Sequence, residues 1–240
     1  MLSKIRGIVL HTIKYKESSI IAHIYTDLFG RQSFLVHSVH GRKSTFSPNI
    51  FQPFSIVEAE AYIKPERELQ KVKEVNGYPY KTIPYDIVKS TQAIFLAEVI
   101  YKSVREQESN PELFEYLVRS MEWLDMAKER YADFHLVMMI RLTRHLGFFP
   151  ERNYSEQRCY FDLRNGEFVH DPSVHPEMLN KKMSRKLNEF IHFSAGNLND
   201  TFLNYEERIE LTDTLTEFYK LHVPSFGTVK SVAVLRELFR

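Results

Sequence analysis

Apolar and polar positions divide the chain into two regimes. Through residue 75 the apolar residues come in short, β-branched runs. Ile5, Ile8, Val9 and Leu10 lead into Thr12 and Ile13. Ile20, Ile21, Ile24 and Tyr25 form a second run, and Phe34, Leu35 and Val36 a third. Phe54, Ile56, Val57, Ala59, Ala61 and Ile63 form a fourth with partial alternation, and Val72 and Val75 a weaker fifth. Turn signals separate them at Lys16-Glu17-Ser18, at Phe29-Gly30-Arg31 and over the longer Gly41 to Asn49 stretch. Five short strands predict a small barrel or compact sandwich. A five-stranded OB-like barrel fits the count and spacing, and an SH3-like barrel fits nearly as well.

From Pro84 the spacing becomes helical. Ile87, Ile94, Val99 and Val104 recur three to seven apart, with Phe95 and Leu96 beside them. Pro111 opens a second helix at a position where its missing N–H costs nothing, and Leu113, Phe114, Leu117, Met121 and Leu124 mark its face. A third helix is predicted from Tyr131 to Leu146, with Gly147 as the residue that ends it. Tyr160-Phe161-Asp162-Leu163 and Glu167-Phe168-Val169 flank Arg164-Asn165-Gly166, and Asn-Gly is the favoured centre of a type I′ hairpin turn. Helices resume from Met183 to Phe193, from a predicted cap at Asn204 with Glu207 three residues on, and from Lys230 to Phe239. The expected fold is therefore α+β: an OB-type barrel over residues 1–80, then a helical domain over 81–240 with a hairpin inserted at about 148–180.

Composition narrows the chemistry. The 240 residues are 43% hydrophobic and 26% charged, as in a soluble globular protein, and one of them is cysteine, Cys159. A lone thiol excludes an internal disulfide and a multi-thiolate zinc site, and it suits a cytoplasmic location. No apolar run approaches membrane-spanning length, and the N-terminal stretch lacks a signal-peptide cleavage pattern. The formal net charge of +1 conceals an asymmetry: residues 1–43 hold seven Lys or Arg against Glu17 and Asp27. A basic barrel on a near-neutral body points to a polyanion for that barrel.

The sequence carries few catalytic motifs. Gly41-Arg42-Lys43-Ser44 lacks the earlier glycine of a phosphate-binding loop, since position 36 is Val36. His37/His40 and His170/His175 are the pairs from which a hydrolytic metal site could be built, and loop histidines are the simpler reading. What remains is a basic barrel with aromatics. Lys14, Lys16, Arg31, Arg42 and Lys43 are the candidate phosphate contacts, with Lys4 and Arg6 secondary, and Tyr15, Tyr25 and Phe34 are the aromatics among the strands, with barrel core the simpler reading for Phe34.

The order of short motifs resembles the RecO family of bacterial recombination mediators. The motifs are Gly7-Ile8-Val9-Leu10, Tyr15-Lys16-Glu17-Ser18, Ile24-Tyr25-Thr26, Val39-His40-Gly41-Arg42-Lys43-Ser44, Gln52-Pro53-Phe54, Leu146-Gly147-Phe148-Phe149-Pro150, the hairpin, and Val234-Leu235-Arg236-Glu237-Leu238. The resemblance implies a DNA repair protein without enzymatic activity or cofactor. Such a protein binds single- and double-stranded DNA and anneals strands coated by single-strand binding protein. With RecR it helps load RecA, with RecF as a further partner, on the nucleoid. It also implies a site for the acidic, apolar-ended tail of single-strand binding protein, for which Arg141 and Arg144, three apart on one predicted helix, are the candidates. Many members bind zinc with four cysteines around the hairpin. Only Cys159 stands there in this chain, so no metal is expected. The rival reading is a protein-interaction scaffold in which the barrel docks partners without touching DNA.

Overall fold

The computed structural model describes residues 1–37, 48–64, 66–193 and 203–238. The chain forms two compact units, Met1–Met126 and Ala127–Arg240.

In the first unit, β1 (Leu2–Lys16), β2 (Ser19–Thr26), β3 (Gly30–Val36), β4 (Ile56–Tyr62) and β5 (Leu69–Gly77) close a barrel in the order β1-β2-β3-β5-β4. The length of β1 makes closure possible. Its first half pairs with β4, from Leu2↔Tyr62 to Ile8↔Ile56, and its second half pairs with β2, from Gly7↔Thr26 to Lys16↔Ser19. A short parallel contact, Ser33↔Leu69 to Leu35↔Lys71, completes the ring. This is the OB arrangement, and it decides against the SH3-like alternative. Ile5, Val9, Ile24, Phe34, Val57 and Val75 fill the interior. Phe54 was expected to open the fourth strand. It instead precedes β4 with φ +65° and a fully buried ring, while its N–H donates to the Val9 carbonyl at 2.6 Å.

Two helices belong to this unit, so it continues well past the last strand. In α1 (Ile87–Ser103) the buried face is Phe95, Leu96, Val99 and Ile100; Ile87 and Ile94, expected on that face, are exposed. The Asp86 carboxylate caps α1 by accepting from the N–H groups of Val88 and Lys89. In α2 (Pro111–Met126) the expected face is the buried one. At its end Asp125 accepts from the backbone N–H groups of Lys81, Thr82 and Ile83 at 2.7–3.0 Å, and so ties the post-barrel segment to the helix.

The second unit contains α3 (Phe134–His145), a hairpin of β6 (Tyr160–Asp162) and β7 (Glu167–Val169), α4 (Lys181–His192), α5 (Tyr205–His222) and α6 (Val232–Leu238). Gly147 follows α3 at φ +83°, and Asn204 and Glu207 form a reciprocal capping box on α5. The hairpin turn differs from expectation. Asp162 pairs with Glu167, so four residues form the loop, and Gly166 alone takes a positive φ. The reason is Asp162, whose buried carboxylate accepts from the N–H groups of Arg164 and Asn165 and from the Asn165 amide. An aspartate that closes its own turn favours this wider loop over a two-residue one.

Candidate nucleic-acid interface on the barrel

The fold sorts the predicted basic residues into three groups. Lys4 and Arg6 stand on the outer side of β1 beside β4, a surface shared with Glu58, Glu60, Glu74 and Asp27. Lys4 Nζ lies 3.8 Å from Glu60, which also holds Lys73 at 2.9 Å. The Arg6 guanidinium lies 3.2 Å from Glu115 Oε1 and rests over the Phe114 ring. An acidic neighbourhood of this kind repels phosphate. Arg31 is engaged as well: it donates to the Tyr101 carbonyl at 2.8 Å and lies over that residue's ring, and burial draws its guanidinium below the usual value. Its role in the fold is to hold α1 against β3.

Lys14 and Lys16 form the third group. The turn signal at Lys16-Glu17-Ser18 would end the first strand earlier, but β1 runs through both lysines, and both are exposed where it passes the barrel rim. Tyr15 between them is 50% exposed, with Lys16 Nζ 5.5 Å from its ring centre, and Ile13 is 45% exposed. Arg42 and Lys43, with His40 and Phe46, lie outside the described residues. Two of the proposed aromatics are core: Phe34 is fully buried inside the barrel, and Tyr25 is covered by Phe114 with its hydroxyl pushed up to about 12 by burial. Phe51 is core too.

Pairing register reveals a feature that the linear pattern concealed. One row of outward positions crosses five strands: Ile13 opposite Ile21, Ile21 opposite Leu35, Leu35 opposite Lys71, Lys71 opposite Tyr62, and Tyr62 opposite Leu2. Ile21 and Leu35 are half-buried, Tyr62 is 47% exposed, and Leu69 adds a further exposed apolar side chain. Lys71 lies in this strip, Lys16 pairs with Ser19 two residues before Ile21, Lys14 is exposed at the barrel rim opposite the inward-facing Ile20, and Lys64 and Arg67 are exposed in the β4–β5 connection. Isolated exposed apolar residues are ordinary, but a continuous strip marks a contact surface. Cations at the edge of aromatic and aliphatic faces suit a chain of stacked bases with its phosphates alongside. Period-two counting from Ile20, once it is known to point inward, was the signal that could have exposed Ile21.

One end of this face is closed by a ring cluster. His11 and His23 stack at 6.0 Å, and Tyr101 lies 4.9 and 5.1 Å from them. Burial pulls both imidazoles below their ordinary value, and His11 and Arg31 lower His23 further.

In the second unit, Arg141 donates to the Phe193 carbonyl at 3.0 Å and lies over that ring, while Arg144 stacks 4.4 Å over Phe149, which Arg152 also approaches. The hairpin is held without converging metal ligands. Cys159 is buried, and among the described residues no cluster of three ligands fits a metal. His175 turns Nε2 toward Asp162 and Nδ1 toward Glu177, so its two neighbours lie on opposite sides of the ring. His170 pairs with the exposed Asp171, and His37 Nδ1 lies 3.2 Å from Ser19 Oγ. A four-cysteine zinc site, which the resemblance implies for many relatives, does not fit these residues. Packing takes its place. Phe161 meets Phe168 at 4.9 Å and Phe218 at 5.8 Å, and Asn153 bonds both backbone groups of Phe168.

These features define an OB-barrel protein with a helical second unit and a lysine-flanked barrel face. Residues 1–78 match the family described as Recombination protein O N terminal, and residues 84–231 match Recombination protein O C terminal. The chain is 38% identical over 240 residues to the DNA repair protein RecO of Phocaeicola vulgatus and 39% identical over 241 residues to that of Bacteroides fragilis, with full coverage on both sides. The RecO of Flavobacterium psychrophilum is 33% identical, again over the full length. The chain belongs to the RecO family of DNA repair proteins. No helix among the described residues is long and apolar enough to cross a membrane.

Proposed function

We propose that this chain binds single- and double-stranded DNA through the outer face of its barrel, anneals complementary strands, and acts with RecR and RecF in loading RecA, as a non-enzymatic mediator in the cytoplasm. The observation that carries the reading is the cross-strand strip from Ile13 to Leu2 with lysines at its edge. Lys14, Lys16 and Lys71 neutralise phosphates and release counterions, which lets a second strand approach. Tyr15 and Tyr62 supply ring faces for bases without sequence preference. Arg141 and Arg144, each backed by an aromatic ring, form the cationic rim for the acidic tail of single-strand binding protein.

The exposed strip also favours one rival, a protein-docking barrel, and salt separates the two. Anisotropy titrations of an oligo-dT probe across a salt series test the reading. Replacing Lys14, Lys16 and Lys71 by Ala should weaken binding and reduce the slope of log K against log salt by about 2, at roughly 0.7 per lost contact. Replacing Lys4 and Arg6 should leave affinity within about twofold, because their acidic surroundings keep DNA away. An unchanged slope in the folded triple variant refutes the assignment of this face.

A further inference from the structure

We infer that the first unit carries a second contact site, a groove for an uncharged, extended, proline-rich peptide segment of a partner protein. The groove is an open depression of about 840 Å³ between the chain leaving β5 and the outer side of α1. That is the size of a built ligand cleft. Tyr78, Pro79, Tyr80, Pro84, Tyr85 and Ile94 supply its apolar surface. Tyr78 is 53% and Tyr85 87% exposed, and Ile87 and Ile94 present the side of α1 that sequence spacing assigned to the core. The fold thus leaves an aromatic and aliphatic surface in water at one defined place.

Two properties select the occupant. The first is charge. The chain is 26% charged, yet none of the described residues lining the groove carries a charge. Among the described residues a nucleic acid would find no cation for its phosphates there, and an acidic tail would find no rim. The second is a rigid, aromatic and proline-walled form. Tyr80 donates its hydroxyl to the Phe54 carbonyl at 2.9 Å, and Tyr78 meets the Tyr80 ring edge-on at 6.2 Å. The Asp125 carboxylate pins the backbone of residues 81–83 beside it. A preformed cleft of this kind takes a polyproline II segment at low ordering cost, because the peptide too is preordered. Such a helix makes no internal hydrogen bonds, and the exposed amides of Asn49 and Gln52 at the groove supply donors to its carbonyls.

The test uses the full chain and a fluorescent proline dodecamer, with an oligo-glutamate peptide and an oligo-dT strand as parallel probes. Saturable binding of the proline peptide, insensitive to salt, is expected. The Tyr78→Ala/Tyr85→Ala variant, which alters only exposed side chains, should bind it at least about tenfold more weakly, as loss of aromatic anchors does. Ile94→Glu, which places a charge in the groove, should do the same while both variants keep the wild-type circular dichroism spectrum. Absence of saturable binding, equal binding by the variants, or a steep salt dependence overturns the proposal. It also falls if oligo-dT or oligo-glutamate binding is what the variants lose, or if they instead abolish self-association in sedimentation. DNA binding through the lysine-flanked face is read in a separate titration, so either proposal can fail alone.

Discussion

His135 sits in α3 with no exposed surface, and its Nε2 lies 3.0 Å from Thr212 Oγ1 of α5. Burial, followed by the nearby Arg208 guanidinium, pulls its imidazole from 6.5 to about 3. The unfolded chain takes up a proton near 6.5 that the folded chain refuses until about 3. Stability is therefore greatest above 6.5 and falls as the pH drops through this window. At about pH 5 the unfolded state gains roughly 2 kcal/mol from that proton, and by about pH 3 the loss approaches roughly 5 kcal/mol. Asp133, paired with Arg208 and pushed up by burial, responds in the same acid range, so the informative quantity is a difference between variants. His135→Gln removes the titration and keeps a hydrogen-bonding side chain. Its stability at neutral pH should be lower than that of the wild type, but the gap should close by about 2 kcal/mol between about pH 7.5 and 5. Amide exchange in α3 and α5, corrected for intrinsic rates, reads this locally, and the imidazole resonances of the wild type read the titration itself. Parallel losses in the two proteins, or an imidazole that titrates near 6.5 in the folded chain, would refute the reasoning.

Three further outcomes follow from the same structure. Gly30 takes φ +58°, and a Cβ there would collide with the carbonyl oxygens of Glu106 and Glu108, so Gly30→Ala should cost about 2 kcal/mol in thermal melts and raise amide exchange over residues 104–110. Asp125→Ala strands three backbone donors and should destabilise the first unit by about 3 kcal/mol in urea titrations. Burial pushes the Asp125 carboxyl up, but its hydrogen bonds together hold it below the ordinary value; its contribution is thus complete above about pH 4 and disappears below it, which Asp125→Ala should abolish. Elemental analysis of the purified chain should find zinc far below one atom per chain, because Cys159 has no companion thiolates at the hairpin.

Local rules carried the fold a long way. Pro111, Gly147 and the Asn204/Glu207 box mark helix ends because capping depends on neighbours three or four residues away. The five β-branched runs announced the five strands for a similar reason, since strand preference is expressed over a few residues. The face each residue presents was a different matter. Ile21 and Leu35 lie in the same apolar runs as Ile20 and Phe34, and only the pairing register shows that they point outward. Charge followed the same division: the basic excess of the first 43 residues is plain in the sequence, but which of those cations remain available depends on groups far along the chain. Arg6 meets Glu115, Arg31 meets Tyr101, and Lys4 meets Glu60, whereas Lys14 and Lys16 run past the rim into solvent. Electrostatic and hydrogen-bonding partners are chosen by distance in space, and that distance exists only once the barrel has closed and α1 and α2 have packed on it.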